Sequence, residues 1–367
     1  MKFSDVIGQQ ELAARLRKGV REGRIPHGQL FLGEEGSGNL ALALAYCAYI
    51  QCTNRLEHDS CGECPSCRKH LGMVHPDMHY SFPFPSNKAD VATELYPEWR
   101  KEIPAQPYLN YEMWMQALNS ENKQGNIPIK ECHAILKNLS LKPFESEYKI
   151  LLMWLPEFLG NEGNVLLKLI EEPPENTLFL LVAQNQDKIL TTILSRVQLT
   201  RIPPIQNTAI AERLMGFGKT GAEDATRIAM MSAGNYLRAL ELAGNEENAY
   251  LEPFRNWMGF CFQKKLDKAV NWADDYAGVG REQLKGFFLY CLEIVRAVMV
   301  FPYMPEKSGL SKEEGDFVAN FSKIVNHHNK GEKMYNWFNE AAYEVERNGN
   351  AKIILTDLSF KLARLLK

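Results

Sequence analysis

Three short apolar runs, at residues 29–32, 149–154 and 177–182, stand apart in the chain with helical spacing between them. A strand without polar alternation has to be covered on both faces, and helical crossovers between such strands keep them parallel. The pattern predicts an α/β fold with a parallel sheet between layers of helix. The first run stops at Gly33 and leads to a helix rich in Ala and Leu over 40–50, so it reads strand, glycine loop, helix. The second and third runs flank a helix over 163–172. A further short strand over 197–202 follows Thr191 to Arg196, and Pro203-Pro204 ends this part of the chain.

Beyond the proline pair the pattern is helical. Segments 209–214, 222–232 and 236–242 suggest a small three-helix unit closed by Gly244, and longer helices follow. The helix over 281–301 is apolar on more than one face. The last helix sets Ile354, Leu355, Leu358, Leu362, Leu365 and Leu366 along one stripe, which a neighbour in the domain or another chain must cover. The segment 80–126 differs from both parts: five prolines interrupt it, and Trp99 and Trp114 add apolar bulk. It reads as an insertion between sheet elements, a long loop of the kind that is either functional or partly disordered.

With 367 residues, 45% apolar and 24% charged, the chain has room for two or three packed domains, and general disorder is excluded. No run of eighteen apolar residues occurs and the first residues are polar, so a cytoplasmic chain is expected. A net charge of −3 argues against a surface devoted to nucleic acid. DNA contact, if made, would be shared with partners.

Eight cysteines are present, and their clustering is informative. Cys47, Cys132, Cys261 and Cys291 stand singly among apolar residues and read as small core residues. Cys52, Cys61, Cys64 and Cys67 form C-x8-C-x2-C-x2-C, with Gly62 and Pro65 supplying tight turns. Two overlapping C-x2-C steps suit a tetrahedral Zn²⁺ held by four thiolates with no open catalytic position. A pair of disulfides, disfavoured in the cytoplasm, and an iron–sulfur cluster use the same residue types.

Gly33-Glu34-Glu35-Gly36-Ser37-Gly38-Asn39-Leu40 occupies the position of a G-x-x-x-x-G-K-[ST] phosphate loop between strand and helix. Its glycines fit. In a working loop the lysine neutralises phosphate oxygens and the hydroxyl holds Mg²⁺, but here Asn39 carries no charge and Leu40 cannot ligate a hard cation. Glu34 and Glu35 add negative charge, and the strand ending at Trp154 lacks an aspartate, with Glu157 a poor substitute. Three separate losses predict a site without ATPase chemistry.

Several motifs then coincide in order: Phe3 to Gln10, Pro26 to Phe31, the four cysteines, His75-Pro76-Asp77, Ile127-Pro128-Ile129-Lys130, Asn164 to Pro174 and Thr192-Ile193-Leu194-Ser195-Arg196-Val197. Together they resemble the delta-prime family of bacterial DNA polymerase III clamp-loader subunits, AAA+ proteins, and more loosely their gamma/tau relatives. Departures include the long insertion, Glu131-Cys132 after Lys130, and Val197. Arg238, in Gly234-Asn235-Tyr236-Leu237-Arg238, lies one position late for a nucleotide sensor, which puts sensing by it in doubt.

The resemblance implies an AAA+ α/β domain over 1–203 with a zinc module at 52–67 and the insertion at about 80–126, a helical lid over 204–250, and a helical collar over 251–367 that oligomerises. It also implies a subunit with no competent ATP site at Gly33, Gly38, Asn39 and Leu40. Its partners would be gamma/tau and delta subunits, with the sliding clamp and primed DNA reached through the complex. Arg196, with Ser195, would act in trans as an arginine finger on a neighbour's ATP, the other reading being an arginine bonded to carbonyls at its own helix end. Two alternative functions are an active gamma/tau-like ATPase and an unrelated zinc-bearing nucleic-acid-binding module.

Overall fold

The computed structural model describes residues 1–366 apart from 122, 219, 245–249, 304–309, 311, 326–328 and 348. After α1 (Gln10–Arg21), β1 (Gly28–Leu32) runs through the glycine loop into α2 (Asn39–Gln51) and then α3 (Pro65–Leu71). β2 (Met78–Ser81) leads into the insertion, which holds α4 (Tyr96–Ala105) and α5 (Tyr111–Ala117). α6 (Ile129–Leu139), β3 (Lys149–Trp154), α7 (Leu167–Glu171), β4 (Thr177–Ala183), α8 (Thr191–Leu194) and β5 (Gln198–Arg201) complete the α/β part.

Among the described residues the strands form one sheet, ordered β2-β3-β4-β1-β5 and parallel throughout. Every residue of β1, β3 and β4 is buried, as unbroken apolar runs require. One face packs Leu30, Leu151, Met153, Phe179 and Leu181 against Ile135 and Leu139 of α6 and Ile170 of α7. The other face receives α2, all of whose residues are buried; a helix apolar on every side has no solvent face to offer. The fold class expected from the sequence is therefore the one observed. β2 was not foreseen, since its four residues follow a proline and carry His79 and Ser81 among the apolar positions.

The insertion is built around aromatic rings. Phe82 and Trp99 stack at 4.2 Å, Trp114 meets both edge-on at 5.0 and 5.3 Å, and Trp154 at the end of β3 lies 5.6 Å from Trp99. All four are buried, and deleting such a ring costs about 3–5 kcal/mol. The prolines do not keep the segment irregular: Pro97 sits in the first turn of α4, where its missing N–H is no loss, and Pro104 lies in the last turn.

The chain divides into two compact units, one of residues 1–220 and 232–242 and the other of 221–231 and 243–367. The first adds α9 (Asn207–Gly216), and α10 (Ala222–Met231) belongs to the second; α11 (Tyr236–Gly244) begins in the first. The expected lid boundary near 250 falls beside 245–249, outside the described residues. In the second unit, α12 (Leu251–Phe262), α13 (Leu266–Tyr276), α14 (Arg281–Val300), α15 (Lys312–Val325), α16 (Lys330–Glu346) and α17 (Ala351–Leu365) enclose Phe254, Trp257, Phe287 and Phe338. Trp257 Nε1 donates to Ser359 Oγ at 2.8 Å, which satisfies the one polar group of a buried indole. Ile354, Leu355, Leu358, Leu362 and Leu366 of the terminal stripe are buried, as are the four single cysteines. Among the described residues no helix is long and apolar enough to cross a membrane.

Candidate functional site

Two constellations lie in the first unit. The glycine loop joins the carboxyl end of β1 to the start of α2, the place where open parallel sheets hold ligands. Asn39 is buried there. Its Nδ2 donates to Gly33 O at 3.0 Å and to Ala183 O at 3.1 Å, and its Oδ1 accepts from Leu40 N at 2.8 Å. The side chain thus points back into the protein, bonded at both ends. Leu40 is 1% exposed, an aliphatic core residue where a metal-binding loop carries a hydroxyl. Glu34 and Glu35 are exposed.

Glu157 follows β3 after a left-handed Leu155 (φ 56°). Its Oε1 accepts from Gln184 N at 2.5 Å and Asn185 N at 2.8 Å, so the carboxyl braces the turn after β4. Burial pushes its pKa up, against these backbone donors. Across the loop, Tyr236 N donates to Gly36 O at 3.1 Å, and Asn235 Oδ1 accepts from Arg238 N at 3.1 Å as a helix cap.

The cysteines converge. The Sγ atoms of Cys52, Cys61, Cys64 and Cys67 all lie within 4.8 Å of one another, with Cys52–Cys61 at 3.7 Å, Cys61–Cys67 at 3.9 Å and Cys52–Cys64 at 4.0 Å. Four thiolates about 2.3 Å from a tetrahedral ion stand about 3.8 Å apart, so the donor set fits Zn²⁺. Backbone N–H groups also aim at the sulfurs: Cys61 N at Cys52 Sγ, Cys64 N at Cys61 Sγ and Cys67 N at Cys64 Sγ, at 3.3–3.4 Å. Burial raises the Cys52 and Cys67 thiols. At Cys64 burial also acts upward, but bonds from Thr53 and Cys67 outweigh it and hold that thiol at about 6.

The module is tied to the N-terminus, because Asp59 accepts from Phe3 N and Ser4 N at 2.9 Å and Lys2 Nζ donates to Cys61 O. His70 and His75 stand outside the ligand set: His70 Nε2 meets Gln51 Oε1 at 2.7 Å, and His75 lies against Glu145. His58 is exposed.

Arg196 follows α8, before β5. Nη1 donates to Thr192 O at 2.8 Å and Ser195 Oγ at 3.1 Å, and Nη2 meets Glu171 Oε1 at 3.2 Å. The helix-end contacts weighed in the sequence are therefore present in the single chain. Sequence reading missed Glu171 as their partner, and gave no role within its motif to Asp77, whose buried carboxylate accepts from Phe144 N, Glu145 N and Ser146 N at 2.5–2.9 Å. The neighbouring His-Pro was the one local signal for the latter.

The profile of the family described as "DNA polymerase III, delta subunit" matches residues 8–206, more than half of the chain. The delta' subunit of Bacillus subtilis is 25% identical over 241 residues, 66% of this chain and 61% of that protein. The tau/gamma subunit of Haemophilus influenzae is 24% identical over 213 residues, 58% of this chain but 25% of that protein. The chain therefore spans less than two thirds of the length of either relative. A gamma subunit-related protein of Thermotoga maritima superposes with a TM-score of 0.42 at 14% identity, covering 97% of this chain and 99% of that one. With the profile running from the opening motif through the glycine loop, the cysteine cluster and Arg196 to the proline pair, the chain belongs to the DNA polymerase III delta-subunit family of AAA+ clamp-loader proteins.

Proposed function

We propose that the chain is a non-hydrolysing, delta-prime-like subunit of a DNA polymerase III clamp loader, helping to place a sliding clamp on primed DNA without turning over ATP itself. The observation that carries this reading is Asn39. At the position of the phosphate-loop lysine it is neutral, buried and bonded to Gly33 O and Ala183 O. The loop thus supplies neither the charge nor the Mg²⁺ ligand that phosphoryl transfer requires.

In this reading residues 1–203 are the AAA+ domain, 204–250 the lid and 251–367 the collar that joins the other subunits. Arg196, with Ser195, serves the ATP site of a neighbouring gamma/tau subunit, where a planar guanidinium can bind the γ-phosphate bidentately. In the single chain Glu171 holds that guanidinium, and assembly would exchange the carboxylate for the phosphate. Cys52, Cys61, Cys64 and Cys67 hold a structural Zn²⁺, since four protein thiolates leave no position for a substrate. Gamma/tau and delta subunits are the direct partners, the clamp and primed DNA are met through the complex, and the assembly is cytoplasmic.

The test is reconstitution. The chain alone should neither bind Mg-ATP tightly nor hydrolyse it, and a loader of gamma/tau, delta and this chain should load clamps on primed DNA more efficiently than the same mixture without it. Turnover by the contaminant-free chain overturns the non-motor assignment. Loading that is indifferent to the chain overturns the loader assignment.

A further inference from the structure

Loss of charge explains why the glycine loop cannot use nucleotide; it does not explain what fills the space beside it. At Gly36 (φ +72°) a Cβ would overlap Asn235 Oδ1, so the start of α11 closes that flank. At Gly38 (φ +83°) a Cβ would lie 2.9 Å from Tyr108 Cε1 and 3.4 Å from its Oη. Tyr108 comes from the insertion, between α4 and α5, and is 6% exposed. Its hydroxyl accepts from Ile7 N at 2.8 Å, and its ring meets that of Tyr236 edge-on at 4.9 Å. One side chain therefore touches the opening segment, the glycine loop and α11 together.

A polyphosphate on such a loop lies at the start of the following helix, and the nucleoside attached to it must leave along a flank of the loop. We propose that Tyr108 is a nucleotide-excluding residue: its ring occupies the space between Ile7, Gly38 and Tyr236 that a bound nucleotide would need, so the insertion carries a built-in substitute for the ligand. Exclusion is then steric as well as electrostatic. A vestigial loop gains from this arrangement, because a dry aromatic ring bonded to a backbone N–H keeps the opening segment and α11 joined with no nucleotide present. The inference rests on reading residues 33–40 as a lapsed phosphate loop, and the ATPase assay of the unmodified chain tests that reading by itself.

The experiment measures binding of a fluorescent ADP, without metal, to the full chain and to Asn39→Lys, Tyr108→Ala and the double variant, each checked for folding by its thermal midpoint. Restored charge alone should leave binding weak, whereas the double variant should bind on the order of tenfold or more tighter than Asn39→Lys. Equal affinities for those two chains, with the double variant folded, overturn the proposal. Tyr108→Leu in the Asn39→Lys background replaces the double variant where alanine does not fold, under the same criterion. Tyr108→Phe separates ring from hydroxyl: in the Asn39→Lys background it should still exclude ADP, while the Ile7 amide exchanges its proton faster. If the phenylalanine chain binds ADP as well as the alanine chain does, ring occupancy is wrong.

Discussion

The Asn39 side chain donates to the carbonyl of Ala183 at 3.1 Å, joining the first residue of α2 to the last residue of β4. The same nitrogen serves Gly33 O, so one amide secures both strand ends beside the loop. Asn39→Ala leaves two buried carbonyls without this donor and should cost about 1–3 kcal/mol in denaturant unfolding. Asn39→Lys alone should release no phosphate from ATP, since Leu40 still offers no oxygen to Mg²⁺. Steady phosphate release by that variant would count against the account of the loop.

The cysteine module should contain one Zn²⁺ per chain by elemental analysis, and Cys64→Ser should lower that content. Chelation has a local consequence that the geometry specifies. Asp59 holds the Phe3 and Ser4 amides at 2.9 Å, so if Zn²⁺ orders residues 52–67 its removal should speed hydrogen exchange at these two amides before the sheet is affected. If they exchange together with β3 and β4, the module is not a separate unit.

How much of this was readable in the sequence depended on the range of the interaction. The unbroken apolar strands and the cysteine spacing are local patterns, and the parallel sheet and convergent thiols follow from them. Asn39 was legible as an asparagine where a phosphate loop carries lysine. Its bonds to Gly33 and Ala183 were not, because the second partner lies 144 positions away. Tyr108 was not singled out in the proline-rich stretch, since nothing in its own neighbourhood encodes contact with Ile7, 101 positions earlier. The order within the insertion was hidden for the same reason: Phe82, Trp99, Trp114 and Trp154 come from separate segments and become a core only when β2 and β3 pair.

Asp77 should give the chain a measurable acid limb. Burial opposes its ionisation, but N–H groups of Phe144, Glu145 and Ser146 and the Ser146 hydroxyl outweigh this and hold its pKa below the ordinary 3.8. A carboxylate with a depressed folded pKa contributes stability above its unfolded pKa and loses it as pH falls through the folded one. The stability of the unmodified chain relative to Asp77→Asn should therefore be constant above about pH 5 and shrink below about pH 4. Asp77→Ala, which strands three N–H donors, should cost about 2–4 kcal/mol at neutral pH. Urea unfolding across that pH range reads both effects, and parallel curves for the unmodified and Asn chains would remove Asp77 from the account.

Arg196 and Glu171 provide the last prediction, because their 3.2 Å contact makes opposite demands in the two readings of the arginine. As a helix-end anchor, Arg196 would matter to the chain alone. The pair is partly exposed, however, and such an ion pair contributes about 0–1 kcal/mol, so Arg196→Ala should fold, keep its zinc and shift thermal unfolding little. As a trans-acting finger, it would matter only beside a competent neighbour. Within a reconstituted loader, Arg196→Ala should slow ATP hydrolysis stimulated by clamp and primed DNA, with the loss confined to the site bordering this subunit. A finger contributes on the order of 10³-fold at its own site, though other sites mask part of that in the total rate. Glu171→Gln then discriminates further: it removes the competing charge without touching the guanidinium, so loader turnover should be kept or raised where Arg196→Ala lowers it. If both substitutions lower turnover in proportion to lost stability of this chain, the contact is structural and the trans-acting role fails.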